Sequence, residues 1–148
     1  MGNDSSKSKN GPSSKASNVL ASLKPGPSSS LIQRHLDTAK KSRSLTLKGL
    51  NLKTIPKELE EVAPLLRSLD LSQNRIIQLP QFFGTFEILK QLHLNANVLT
   101  SIPNELGNLK KLEILVLSNN NLIELPVALV GCTNLTTLKN LSQMRLVK

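Results

Sequence analysis

The chain has 148 residues, with no Trp, no Tyr and only 3 Phe, so any core must be built mainly from Leu and Ile. Its single cysteine, Cys132, excludes an internal disulfide and suits a reducing compartment. No apolar run reaches the length of a membrane span, and the first thirty residues lack the apolar core of a secretory signal, which favours a cytoplasmic protein.

The charge is unevenly distributed. The formal net charge is +9, and residues 1–43 contribute eight basic and two acidic side chains, a local net charge of +6. A basic excess confined mostly to one end of a chain is typical of an arm that meets an anionic partner.

Residues 1–29 are rich in Ser, Gly, Pro, Lys and Asn, and we predict a disordered tail because they offer too little apolar area to offset the entropy of ordering. The tail opens with Met1, Gly2 and Asn3 and has Ser6 at the position that N-myristoylation requires. Removal of Met1 would expose the Gly2 amine for acylation. Gly2 is therefore the predicted lipidation site.

One myristoyl chain gives only marginal, reversible membrane binding, so a second signal is needed. The tail has no cysteine for palmitate, and its lysines would have to supply that signal at about 1 kcal/mol each near an anionic leaflet. These predicted membrane-electrostatic residues are Lys7, Lys9, Lys15 and Lys24. The sequence thus predicts a peripheral protein on a cytoplasmic membrane face.

Residues 30–43 are predicted to form a helix that caps the first repeat. Ser30 and Gln33 have capping-box spacing. Ile32, Leu36 and Ala39 fall on one face, which would cover the core of that repeat.

Residues 44–138 contain about four units with a period of 23 residues. The period relates leucines (Leu69, Leu92, Leu115, Leu138), asparagines (Asn74, Asn97, Asn120) and prolines (Pro80, Pro103, Pro126). Such a period predicts a solenoid, in which each coil buries its apolar face against its neighbours. Leucines two residues apart indicate a short strand, and a spacing of three after each proline indicates a helical or 3₁₀ return segment.

The fold class is therefore α/β, a right-handed solenoid with parallel strands on the concave face and helical or 3₁₀ segments on the convex face. The first unit is irregular, with Leu50 at the asparagine position and 24 residues from Leu45 to Leu69. Residues 139–148 are expected neither to complete nor to cap a fifth unit, which suggests a shortened form of a longer array with an uncovered last strand.

The outward strand positions are the predicted partner-binding residues of the concave face. They are Arg67, Ser68, Asp70, Ser72, Lys90, Gln91, His93, Asn95, Glu113, Ile114, Val116 and Ser118. The mixture of polar and apolar types favours a protein partner, and the lack of aromatic stacking residues disfavours nucleic acid. A face on the order of 300 Å² falls short of the roughly 800 Å² per partner in a standard interface, so binding by the array alone should be weak.

The remaining polar residues point to structure rather than chemistry. Asn74, Asn97 and Asn120 are predicted to satisfy backbone groups of adjacent coils, and Cys132 is predicted to be a buried thiol. His35 and His93 lack a second ligand at metal spacing, and no phosphate loop or nucleophile motif occurs. We therefore predict no catalytic residues, no metal, no cofactor and no small-molecule substrate.

The repeat frame L-x-x-L-x-L-x-x-N-x-L-x-x-L-P-x-x-L resembles the 23-residue intracellular leucine-rich repeats of Ras-signalling scaffolds. The opening Met-Gly-Asn and the segment LIQRHLDTAKKSRSLTLKG resemble the family of leucine-rich-repeat-containing protein 57 over roughly residues 31–139. The chain departs from that family in a Ser/Lys-rich insert at about residues 7–29 and in its early end. The resemblance implies a membrane-associated adaptor and supplies no partner.

The sequence leaves three functions open. The first is a lipid-anchored, non-catalytic interaction module that acts as an adaptor or scaffold. The second is a scaffold or regulatory subunit of Ras-type signalling that works without lipid. The third is nucleic-acid binding through the basic N-terminal arm, which would be steeply salt-dependent.

Overall fold

The computed structural model describes residues 26–140 and 145–146. A helix, α1 (Ser29–Ser42), is followed by a stack of coils, each of which passes through a short strand and returns through a helical turn. The strands are β1 (Ser44–Thr46), β2 (Ser68–Asp70), β3 (Gln91–His93), β4 (Ile114–Val116), β5 (Glu124–Leu125), β6 (Thr137–Lys139) and β7 (Arg145–Leu146). The return segments are helix α2 (Leu59–Val62) with a 3₁₀ turn at Ala63–Leu65, and further 3₁₀ turns at Gln81–Thr85, Asn104–Asn108 and Val127–Gly131.

The main sheet has five parallel strands in the order β1-β2-β3-β4-β6. Its register places the period-23 leucines side by side, with Leu69 opposite Leu92 and Leu115 opposite Leu138. The prediction of a parallel-stranded solenoid is confirmed. The sequence period sets the register because each coil from the second onward uses 23 residues before it returns to the sheet.

The core is a continuous aliphatic column between the sheet and the return segments. Its one aromatic layer lies in the second coil, where Phe83 and Phe86 are fully buried and meet edge to face with ring centroids 4.8 Å apart. The return segments after the prolines are 3₁₀ turns, as the spacing of three predicts. The first coil, which is one residue longer, instead uses α2 with a 3₁₀ turn that contains Pro64.

Helix α1 packs against β1 at the N-terminal end of the stack. Ile32, Leu36 and Ala39 are buried, which is the face that the sequence indicates. The predicted capping box is wrong, because the helix begins one residue earlier and Ser28 is its N-cap, accepting a hydrogen bond from Leu31 N at 3.2 Å. Gln33 donates instead to Asp37 Oδ1 at 3.0 Å, along the exposed side of the helix.

At the other end, β6 is the last strand of the main sheet and Leu138 is 43% exposed. The prediction for residues 139–148 falls largely on residues 141–144 and 147–148, which lie outside the described residues. Lys139 belongs to β6, and the backbone of Arg145 and Leu146 forms β7, which pairs in parallel with β5.

Candidate interaction surface

The side chains that leave the concave face of the sheet form columns across the strands. The register aligns Ser68 with Gln91 and Ile114, so one residue from each coil contributes to a continuous row. The members predicted as partner-binding are at least partly exposed, with the exception of Ser72. Those exposed are Arg67, Lys90, Gln91 and Glu113, and those partly exposed are Ser68, Asp70, His93, Asn95, Ile114, Val116 and Ser118.

Ser72, also predicted as partner-binding, is covered rather than presented on this surface. Only 3% of the residue is exposed. Its Oγ donates to Asp70 Oδ1 at 2.6 Å, and its backbone N donates to the same oxygen at 2.9 Å. The Asp70 carboxylate thus ties the end of β2 to the following turn and leaves Ser72 covered.

The leading edge of the sheet, one residue before each strand, carries a vertical row of charges. The backbone N of Arg67 donates to Arg43 O, that of Lys90 to Arg67 O, and that of Glu113 to Lys90 O, each at 2.8 Å. These bonds stack the four residues directly on one another, at the spacing of parallel strands, about 4.8 Å. All four side chains are exposed.

A groove of about 430 Å³ separates α1 from β1 at the N-terminal end of the same face. Helix α1 contributes Arg34 and His35, and β1 contributes the hydroxyls of Ser44 and Thr46, above an apolar base that includes Leu45. No sequence pattern predicts this group. Its members all lie within residues 31–46, on the helix and on the strand that follows it, and the packing of the helix on that strand brings them together.

The three repeated asparagines hold neighbouring coils together through their amides. Asn97 is 5% exposed, its Oδ1 accepts from Ile76 N at 3.0 Å, and its Nδ2 donates to Leu71 O and Leu94 O at 3.0 Å. Asn74 and Asn120 make the equivalent bonds one coil below and one coil above. The amides are therefore occupied by backbone groups that have no partner in the sheet.

The potentially reactive side chains are separated in the structure. Cys132 is buried, its Sγ lies 3.2 Å from Leu106 O, and burial raises the pKa of its thiol despite the nearby charge of Lys110. His35 lies in the groove beside α1, and His93 lies at the end of β3. In residues 26–140 and 145–146, no three His, Cys, Asp or Glu side chains are close enough to hold a metal ion together.

Gly2, Lys7, Lys9, Lys15 and Lys24 all lie outside the described residues, as does nearly all of the predicted tail 1–29. Among the helices of the described part, none has the length and apolar character to cross a membrane.

Comparison with known proteins extends these geometric findings. A leucine-rich repeat family model matches residues 64–122 and 87–143, which together span more than half of the chain. The leucine-rich repeat domain of APL1B superposes with a TM-score of 0.65 and 28% identity, over 84% of this chain and 38% of that one. A leucine-rich repeat protein of Leptospira interrogans gives 0.54 and 27%, over 75% and 34% of the two chains. The chain thus spans little more than a third of the length of either structure.

Proposed function

Because the chain belongs to the leucine-rich repeat family, we propose that it is a non-catalytic protein-interaction module that acts as an adaptor or scaffold. Leucine-rich repeat domains generally mediate protein–protein contact, and the fold is typically not enzymatic. The observation that carries the proposal is the concave face, where five parallel strands present rows of exposed side chains that the core does not use.

The partner is proposed to dock on this concave face. The row of Ser68, Gln91 and Ile114 and the row of Asp70, His93 and Val116 change from polar to apolar toward the fourth coil. A surface of this kind suits a protein with both polar and aliphatic contacts.

We further propose that a myristoyl group on Gly2, helped by Lys7, Lys9, Lys15 and Lys24, tethers the module to a cytoplasmic membrane face. The support is the fit of the first six residues to the acylation pattern. The small area of the array should make its binding weak, and a membrane tether would compensate because confinement to a surface raises the local concentration of a weak binder. Membership of the family of leucine-rich-repeat-containing protein 57 is part of this proposal and is supported by the opening Met-Gly-Asn and the cap segment.

A crosslinking pair tests the docking face. Benzoylphenylalanine replaces Gln91, exposed on β3, or Gln81, exposed on the convex 3₁₀ turn of the preceding coil. The two sites have the same native residue type, and both are exposed. We expect a specific adduct from the Gln91 site alone, and equal adducts from both sites would contradict a concave docking face.

Intact mass and membrane fractionation of the parent and of Gly2→Ala test the tether. The parent should carry one acyl group and partition with membranes, whereas Gly2→Ala should lack the group and remain in the soluble fraction. An unacylated parent would leave the soluble scaffold of Ras-type signalling as the better description.

A further inference from the structure

We propose that the leading edge of the sheet binds an extended acidic segment of the partner protein through a basic stripe formed by Arg43, Arg67 and Lys90. This inference rests on the proposed protein-binding function and names the chemistry of its ligand. The stripe spans three consecutive coils, a length of about 10 Å at the spacing of parallel strands.

The stripe cations are not paired with the acidic residue next in line, because Glu113 forms no ion pair with Lys90. None of the three stripe side chains forms an ion pair or a hydrogen bond with another described residue. Like charges directly opposite each other on adjacent strands are destabilising. A row of carboxylates would relieve this repulsion, and the exposed side chains leave the row open to a ligand.

The remaining rows set the order of the ligand's side chains. Next to the stripe, Glu113 reverses the charge at the fourth coil, where Ile114 and Val116 also make the concave face apolar. The matching ligand therefore has two or three acidic residues over the first three coils and an aliphatic residue over the fourth. At about 3.3 Å per residue, an extended segment of about five residues covers the distance from the first coil to the fourth.

The same features favour a peptide over a lipid surface. A planar anionic surface that reached the stripe would also meet the carboxylates of Glu113 and Asp70, which are exposed or partly exposed close by. A peptide can place its acidic side chains opposite the three cations and turn an aliphatic side chain toward Ile114.

The test is an amide-resolved NMR titration of the full ¹⁵N-labelled chain, which detects even millimolar binding. The probe is acetyl-Gly-Glu-Asp-Glu-Gly-Leu-Gly-amide. Its control has Gln and Asn in place of the acidic residues. We expect shifts at Arg43, Arg67 and Lys90 with the acidic peptide alone, together with shifts at Ile114 that vanish when Ser replaces Leu in the peptide.

Matched charge reversals give the second readout. Arg67→Glu with Lys90→Glu should weaken the acidic peptide at least about tenfold, because repulsion replaces attraction at two sites. Lys53→Glu with Lys57→Glu makes the same change in net charge at exposed positions away from the stripe, and should change the affinity less than about twofold. If the stripe variant does not fold, as judged by circular dichroism, the Gln pair replaces the Glu pair.

Three outcomes would overturn the inference: no shifts at the stripe, equal binding of the amide control, or equal effects of the two variant pairs. The last outcome would indicate a non-specific response to net charge. Flotation with phosphatidylserine-containing vesicles provides a further arm. Loss of vesicle binding in the stripe variant without loss of peptide binding would assign the stripe to a membrane. Each of these failures would leave the crosslinking test of the concave face unaffected, so the two proposals fail separately.

Discussion

Replacement of Asn97 by Ala tests the role of the asparagine amides most directly. The substitution removes the acceptor of Ile76 N, which then has no partner in a buried site. The carbonyl oxygens of Leu71 and Leu94 also lose a hydrogen bond but do not become unpaired. Leu71 O still accepts from Asn74, and Leu94 O still accepts from Asn120.

The expected loss in the free energy of unfolding is about 3 kcal/mol. An orphaned buried donor costs about 1–3 kcal/mol, and each of the two remaining hydrogen bonds contributes about 0.5–1.5 kcal/mol. Since a domain of this size has a total stability of roughly 5–15 kcal/mol, the change is large enough to measure. Asn74→Ala should cost more, since its Oδ1 accepts from both Leu50 N and Leu52 N.

Urea titration followed by far-UV circular dichroism provides the measurement, because a chain without Trp or Tyr gives little intrinsic fluorescence change. Asn95→Ala is the control, two residues away, with a partly exposed side chain on the concave face. It should stay within about 0.5 kcal/mol of the parent. Equal effects of Asn97→Ala and Asn95→Ala would refute the idea that the buried amide holds the coils together.

Three further predictions concern single positions. Gly107→Ala should destabilise the fold, with a lowered urea midpoint, because its added Cβ would overlap the backbone carbonyl of Ala128 in the next coil; an unchanged midpoint would contradict this packing. The native Cys132 thiol should react with a disulfide reagent far more slowly than the urea-unfolded thiol. Burial raises the pKa of the Cys132 thiol in the folded state, so the contribution of this thiol to stability should be complete at neutral pH. The contribution should decline as the pH rises past the ordinary thiol pKa of 9.0. The Cys132→Ala variant should lack this trend. Ser28→Ala should lower thermal stability by about 1 kcal/mol, whereas Ser30→Ala should have a smaller effect, and the reverse order would restore Ser30 as the helix cap.

The sequence period was sufficient to predict the coil and its core. The leucines, asparagines and prolines recur every 23 residues, so the strand, the turn and a helical or 3₁₀ return in each coil follow from local pattern. Local pattern was less reliable where two signals competed. Ser28 and Ser30 both suit a helix start, and the structure uses the serine whose side chain reaches Leu31 N.

The surface was only partly predictable. Alternation along a strand predicted that Asp70 and Ser72 would both be exposed, but Ser72 is buried and donates a hydrogen bond to Asp70. The groove that joins Arg34 and His35 to β1 depends on how the helix packs, which no repeat specifies.

The sequence by itself determined the repeating coil, its aliphatic core and the amides that join one coil to the next, because each depends on residues at a fixed spacing. Only the tertiary structure showed that Arg43, Arg67 and Lys90, among the described residues, carry their charges without an ion pair along one edge. Counter-charge at an exposed edge depends on which side chains from distant parts of the chain arrive nearby, and chain folding alone settles that.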